Sequence, residues 1–504
     1  MNDKISGYYL DSEQQAIVLD EAKYLLVVAG AGSGKTLTIL GKIFYLVKYK
    51  KIDPDEILCI SFTRESALSL KEKIKKEFSY DMPVYTFHKL SLEILKESHQ
   101  DYIISDSDTL DNIVHEFFRE TILNDSKQIK YFFDYFKIKK NKDLKKQYSN
   151  FYIRNNKEIK LLEKLIITFI HLFKCNNYKL EDYSLFLKKI KRTFSYSNYR
   201  SEKAFLVLTL NIYLIYQKYL DENKEIDFDD MIIYATDYIR KNGILKKYKY
   251  VIIDEYQDTS YIRFCLIKEI LDKTNANLMV VGDDFQSIYR FTGCELSLFL
   301  DFDKYFSDAK IMKIQNTYRN SQQLIKIAGD FVMKNKKQIT KNLRSNKYLD
   351  KPIKLIYYDD IKETFKKLII QIHNETNKPI LILGRNNKDI NLILDSDFKL
   401  ENNIIIYKDN HNIKLYYLTA HKSKGLEEEN VIIINLENSL LGFPNKINDD
   451  KILRLVSNNL DKYPYSEERR LFYVALTRTK NYVYLLVPKT NYSIFIKEIK
   501  YRLN

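Results

Sequence analysis

The stretch VVAGAGSGKTLTIL, residues 27 to 40, carries an apolar run into glycines and ends in Gly34-Lys35-Thr36 before a helical pattern begins. A strand that runs into glycines lets consecutive backbone N–H groups curl around an anion at a helix N-terminus. The chemistry this suits is the holding of a nucleotide phosphate. Gly30, Ala31, Gly32, Ser33 and Gly34 would form the cradle, Lys35 would reach the β- and γ-phosphates, and Thr36 would ligate Mg²⁺. The strict G-x-x-x-x-G-K-[ST] pattern asks for glycine at position 29, where this chain has Ala29. On this segment alone, a glycine-rich turn with a stray lysine stays open.

A second acidic site narrows the choice. YVIIDEYQD, residues 250 to 258, reads as a buried strand that delivers two adjacent acids at its C-terminal end, where α/β sheets place ligands. Asp254 suits Mg²⁺ and Glu255 suits the base that polarises an attacking water. A D-E pair at a strand end is common as a charged turn. Paired with a phosphate loop, it becomes the other half of a hydrolytic site.

The elements that must position these groups can be read from the pattern. Apolar strand signals followed by helical stretches recur at KYLLVVAG, EILCISFT, YKYVIIDE, ANLMVVGD, KPILILGR and NVIIINLE, the alternation that builds parallel α/β sheets. The first two precede a span from 94 to 221 that lacks such strands and looks helical, aromatic and lysine-rich. The expected division is therefore a first α/β domain from 1–93 and 222–300, a helical insertion at 94–221, and a second α/β unit at 301–504.

Composition bounds the answer without fixing it. A chain of 504 residues with 45% hydrophobic content should fold as about three or four units of ordinary size. The net charge of +15 suits a polyanionic partner, although a bias toward Lys, Asn, Ile and Tyr would arise in an AT-rich genome with no ligand at all. Cys59, Cys175, Cys265 and Cys294 are far apart and form no C-x-x-C pair, so neither zinc, an iron–sulfur cluster nor a disulfide framework is read from them. No charge-free apolar stretch of about 18 residues occurs, and MNDKISGYYL has no signal-peptide core. A cytoplasmic location with no membrane partner is expected.

The chain resembles the UvrD/Rep-like superfamily 1 DNA helicases, and within them the helicase IV type. The resemblance runs in order from LDSEQQAIV to EERRLFYVALTRTK and includes the long blocks VGDDFQSIYRFTGC, NTYRNSQQLIKIAGDFVMKNKKQITKNL and HKSKGLEEENVIIINL. It implies two RecA-like parallel-sheet domains with a helical insertion in the first, ATP and Mg²⁺ as cofactors, and single-stranded DNA and DNA junctions as partners. By the same likeness Gln14 would read adenine, Tyr318 would stack on it, and Glu427 would contact the ribose. Gln286 would sense the γ-phosphate, and Arg319 and Arg478 would reach that phosphate from the second unit. Taken singly, Gln14 could equally be an exposed helix residue, and each arginine a surface charge.

Phe62, Thr63, Phe87, His88, Tyr289, Phe291 and His421 match family positions on a nucleic-acid track, where aromatics stack on bases and small polar groups hold phosphates. With 41 tyrosines and 28 phenylalanines, many rings here must be core, and His421 suits a structural role as well. Two departures stand out. Many members carry Trp-Arg where this chain has Phe291-Thr292. Only about 30 residues separate Asn387 from Tyr417, where UvrD and Rep place a large mobile second insertion that this chain is expected to lack. The resemblance implies a single-stranded DNA translocase and helicase of 3′-to-5′ polarity. The competing expectation is a DNA-gated ATPase that serves as motor or sensor subunit for a partner such as a nuclease, in DNA repair or antiviral defence. No cluster of acids and lysine suited to a nuclease follows Arg478, so cleavage in cis is not expected.

Overall fold

The computed structural model describes residues 3–98, 102–193, 196–457, 461 and 463–502. Fifteen strands lie among them. In chain order they are β1 (Tyr24–Ala29), β2 (Ile57–Ile60), β3 (Val84–Tyr85), β4 (Ile103–Ile104), β5 (Glu225–Ile226), β6 (Tyr250–Ile253), β7 (Asn277–Gly282) and β8 (Lys310–Ile314), followed by β9 (Ile353–Tyr358), β10 (Ile380–Gly384), β11 (Phe398–Glu401), β12 (Ile404–Tyr407), β13 (Leu415–Thr419), β14 (Glu428–Ile433) and β15 (Thr479–Pro488). The first sheet is wholly parallel, in the order β3-β2-β6-β7-β1-β8. The second runs β11-β12-β13-β10-β14-β15-β9 and is parallel except for the β11–β12 hairpin, which adds to β13 antiparallel.

Continuous apolar runs form the central strands because helices cover both faces of each sheet. Period-two alternation divides β1 cleanly: Leu26 and Val28 enter one core with Val251, Ile253 and Val280, while Leu25, Val27 and Ala29 enter the other with Ile252, Met279 and Val281. The second sheet repeats the pattern, with Leu381, Leu383, Val431 and Ile433 on one face and Ile380, Ile382 and Ile432 on the other. These buried strands bring the functional loops to the C-terminal edges, where Gly30, Asp254 and Asp283 begin the segments after β1, β6 and β7.

Helices Thr109–Arg119, Ser126–Tyr135, Leu144–Arg154, Asn156–Cys175, Asp182–Thr193 and Tyr196–Asn223 lie between the strands of the first sheet in sequence. They pack around their own core of Phe117, Phe118, Phe132, Phe133, Phe169 and Phe173, each ring contributing about 1.5–3 kcal/mol by burial. Ile452, Leu455 and Val456, from far down the chain, close the same core. The helices flanking the span, Phe87–Lys96 and Phe228–Asn242, pack instead into the core of the first sheet.

One boundary differs from the sequence reading. The strand β8 pairs with β1, so residues 310–314 extend the first sheet and the chain leaves it after that point, not at 301. A five-residue strand with a partly exposed face gave no apolar run to mark it. The interval from Asn387 to Tyr417 holds a short 3₁₀ turn and the β11–β12 hairpin, which prolongs the second sheet. Among the described residues, no helix is long and apolar enough to cross a membrane.

Candidate functional site

Gly34 is the N-cap of the helix Lys35–Lys48 in a left-handed conformation, and Gly32 before it is also left-handed. A Cβ at Gly32 would lie 2.5 Å from Cβ of Arg319, so glycine is required for the loop to pass beneath that arginine. The Ala31 carbonyl accepts the Thr317 hydroxyl at 2.7 Å, and the Gly32 carbonyl accepts the Tyr318 N–H at 2.9 Å. The Ser33 hydroxyl is buried with no hydrogen-bond partner, an orphaned donor inside the cradle.

Lys35 forms a 2.8 Å ion pair with Glu255. Burial alone would lower the lysine, but the charges of Glu255, Asp254 and Asp283 raise it above its ordinary value. Burial also opposes ionisation of Glu255, yet Lys35 and Lys424 hold its carboxyl well below the usual range. Glu255 is therefore ionised and accepts hydrogen bonds, while the two lysines weaken it as a base for as long as they stay paired with it. Its backbone is left-handed at φ 52°, an unfavourable conformation for glutamate that turns its carboxylate toward the phosphate loop. Burial and the adjoining Glu255 push Asp254 up to about 6, while one of its oxygens accepts the Glu255 N–H at 2.9 Å.

Gln286 joins the two halves. Its amide donates to Asp283 at 2.6 Å, and its side-chain oxygen accepts from Arg478 at 3.1 Å. Arg478, fully buried, also donates to the carbonyls of Val474 at 2.9 Å and Leu426 at 3.3 Å. Burial, with Arg319 close by, lowers its guanidinium to about 10. Arg319 is held by Glu427, so the acid expected on a ribose neutralises an arginine expected on a phosphate.

The adenine-side residues are placed with the loop. Gln14 is 1% exposed; its amide donates to the Ser33 carbonyl at 3.2 Å and its oxygen accepts the Asp11 N–H at 3.1 Å. Tyr318, 62% exposed, donates its hydroxyl to Asp11 at 2.7 Å. The Tyr318 face is free to stack, whereas the Gln14 amide is already engaged in holding the phosphate loop.

Along the adjoining surface, Phe62 stacks on Tyr289 with ring centres 5.9 Å apart and planes at 12°. Phe291, 55% exposed, stands edge-on to Tyr289 at 6.1 Å and to His421 at 5.8 Å. The first three rings come from the first unit and His421 from the second. Burial, with Arg385 nearby, lowers His421 to about 4, which leaves it neutral near pH 7. His88 is lowered likewise to about 4 by burial and Arg263, and its ring meets Phe228 at 5.1 Å.

Two residues of the expected track sit differently. Phe87 is 4% exposed within the first sheet's core, because the apolar face of its helix turns it inward; its ring packs and presents no stacking face. Thr63 is exposed but caps the helix Arg64–Phe78, accepting the Ser66 N–H at 3.1 Å. The sequence reading also passed over Lys424, although it lies inside the quoted block HKSKGLEEENVIIINL. This buried lysine pairs with Asp258, donates to the Gln286 carbonyl at 2.9 Å and stands 3.7 Å from Glu255. Arg263, whose guanidinium lies 4.8 Å above the Phe62 ring, was passed over as well. Neither had a local signal, since both act on residues distant in sequence.

A phosphate loop and acid pair on one parallel sheet, faced by arginines from another and flanked by a cluster of rings, are the parts that a nucleotide-driven motor acting on a nucleic-acid strand would need. The UvrD/REP helicase N-terminal domain matches residues 10–307, and the UvrD-like helicase C-terminal domain matches residues 399–490. The chain belongs to the UvrD/Rep-like DNA helicase family. It is 31% identical over 356 residues to a probable DNA helicase II homolog of Mycoplasma capricolum, covering 67% of this chain and 43% of that one. DNA helicase IV of Escherichia coli is 26% identical over 505 residues, covering 97% of this chain and 70% of the relative. A probable DNA helicase of Mycoplasma pneumoniae is 28% identical over 505 residues, covering 95% and 83%. The chain thus spans less than half of the first of these relatives and most of the other two.

Proposed function

We propose that the protein is an ATP-dependent single-stranded DNA translocase and 3′-to-5′ DNA helicase. The observation that carries the reading is the contact of Gln286 with Arg478, because it ties the phosphate-sensing side of one sheet to an arginine of the other. ATP would lie in the cradle of residues 30–36 with Lys35 at its terminal phosphates, and Glu255 would accept the proton of the attacking water. Arg319 and Arg478 would neutralise the charge that develops on the γ-phosphate, an effect worth about 10³–10⁵ in rate for an arginine so placed. For that, Arg319 must exchange Glu427 for phosphate, and Glu427 is then released toward the ribose.

Mg²⁺ fits the same place. A buried carboxyl raised by its neighbour's charge gains from a divalent cation, so Asp254 and the Thr36 hydroxyl would hold it. When bound, the ion would offset charge on the phosphate oxygens. Closure on ATP and reopening after hydrolysis would move His421 relative to Phe62, Tyr289 and Phe291, and a strand stacked on those rings would be advanced. The 3′-to-5′ direction rests on the family.

The short β11–β12 hairpin, in place of a large second insertion, favours one alternative: a DNA-gated motor or sensor subunit working with a nuclease in repair or phage defence. Strand displacement by the purified protein on a duplex with a 3′ single-stranded tail separates the two. Unwinding that needs ATP and is lost in Lys35→Ala and Glu255→Gln, with DNA binding kept, supports the helicase. DNA-stimulated ATPase without unwinding supports the subunit, and DNA-independent turnover by Glu255→Gln overturns the assignment of the base.

A further inference from the structure

Outside the nucleotide cleft, His171, Cys175 and Asp229 converge where the helix Asn156–Cys175, the start of the helix Phe228–Asn242 and the loop carrying Phe291 meet. We propose that these three side chains form a binding site for a thiophilic divalent cation of the zinc type. It is the one group of three or more His, Cys and carboxylate donors with such spacing among the described residues, all donor atoms lying within 4.8 Å of one another.

His171 and Cys175 stand four residues apart on one helix and so share a face. Cys175 Sγ is 3.6 Å from His171 Nε2 and 3.4 Å from an Asp229 oxygen. A tetrahedral ion with metal–sulfur bonds of about 2.3 Å and metal–nitrogen bonds of about 2.0 Å separates such donors by about 3.5 Å, so the sulfur is already spaced for both partners while the imidazole and carboxylate must turn toward each other. The other Asp229 oxygen is 2.8 Å from His171 Nδ1, a hydrogen bond that must open for the carboxylate and the imidazole to share one ion. The Thr292 carbonyl lies 3.9 Å from Cys175 Sγ and also accepts from His171, which brings the loop's backbone to the same cluster.

The surroundings favour this placement. A Cβ at Gly293 would fall 2.6 Å from Cβ and 2.8 Å from Sγ of Cys175, so only glycine lets the loop close over the thiol. Lys174 is turned to Asp227 and Asp230, which leaves Asp229 to the cluster. One sulfur, one imidazole and one carboxylate suit zinc-type ions better than Mg²⁺, which demands oxygen ligands. On binding, the thiol proton passes to solvent and the sulfur donates as thiolate. The cation would tie the helical insertion to the segment that presents Tyr289 and Phe291.

The test is titration of chelator-treated full-length protein with Co²⁺ and then Zn²⁺. The expected result is a single equivalent of Co²⁺ that develops the intense ligand-field and sulfur-to-cobalt bands of a tetrahedral thiolate site, is displaced by Zn²⁺, and is bound more than about a hundredfold more weakly by Cys175→Ser and His171→Ala. Stoichiometric Co²⁺ binding without a sulfur band, no saturable binding, or unchanged affinity in both variants overturns the proposal. The wild-type spectrum decides the matter even if a variant fails to fold.

Discussion

The Phe291 ring is the exposed member of a cluster whose other rings are braced by one another, so its contribution to DNA affinity should separate from hydrolysis. Phe291→Ala is expected to weaken single-strand binding by about 1–3 kcal/mol, the worth of one base–aromatic stack, while basal ATPase persists. Fluorescence anisotropy on a labelled oligonucleotide measures it; unchanged affinity would make the ring idle. At this scale the sequence is most legible where neighbours in the chain are neighbours in space. Lys35 and Thr36 follow their glycines and open a helix, and Asp254 and Glu255 follow directly on a strand, so local geometry aims them. Phe87 was misplaced because a helical apolar period says that one face is buried without saying which ring lies at its margin. Lys424 stayed hidden because its partner Asp258 is 166 residues away.

Among the elements, the helical insertion meets the segment around residue 450 through Glu202 and Asp450 as well as through Ile452, Leu455 and Val456. Burial and the charge of Asp450 push Glu202 up to about 7 from an ordinary 4.5, against the opposing pull of Lys137 and Lys451. The folded state therefore holds a proton that the unfolded chain has released, so this group favours folding below about pH 4.5 and loses that contribution as pH rises through 7. Glu202→Gln should raise the melting temperature at pH 8 and leave it nearly unchanged at pH 5. A thermal scan at both values checks this, and a lower Tm at pH 8 would contradict it. The same insertion carries KIKKNKDLKK, residues 137–146, with Lys137, Lys139, Lys142, Lys145 and Lys146 exposed. Neutralising these lysines should spare ATPase on short single strands while lowering forked-DNA affinity and flattening its salt dependence. An unaltered salt slope would leave the insertion as a buttress.

For the whole molecule, the contacts of Arg478 with Gln286, of Lys424 with Asp258, and of Arg470 with the Ser287 carbonyl run from the second unit to the first between the ATP cleft and the stacked rings. On the proposed function, these contacts would link nucleotide binding to DNA binding. A non-hydrolysable ATP analogue should change single-strand affinity by about 5- to 150-fold, and single-stranded DNA should change analogue affinity by the same factor. Gln286→Ala should bring both factors toward unity while each ligand still binds alone. Paired titrations read this, and unequal factors would break the linkage. The sequence by itself determined the two α/β units, the phosphate loop, the acid pair and the helical insertion, because each is written in local periodicity, glycine placement and adjacent side chains. Only the tertiary structure decided that β8 completes the first sheet, that a hairpin fills the interval before β13, that Glu427 restrains Arg319, and that His171, Cys175 and Asp229 meet beneath Gly293. Those outcomes depend on which distant segments pack together, and packing is settled by burial over the whole chain, which no single stretch of residues encodes.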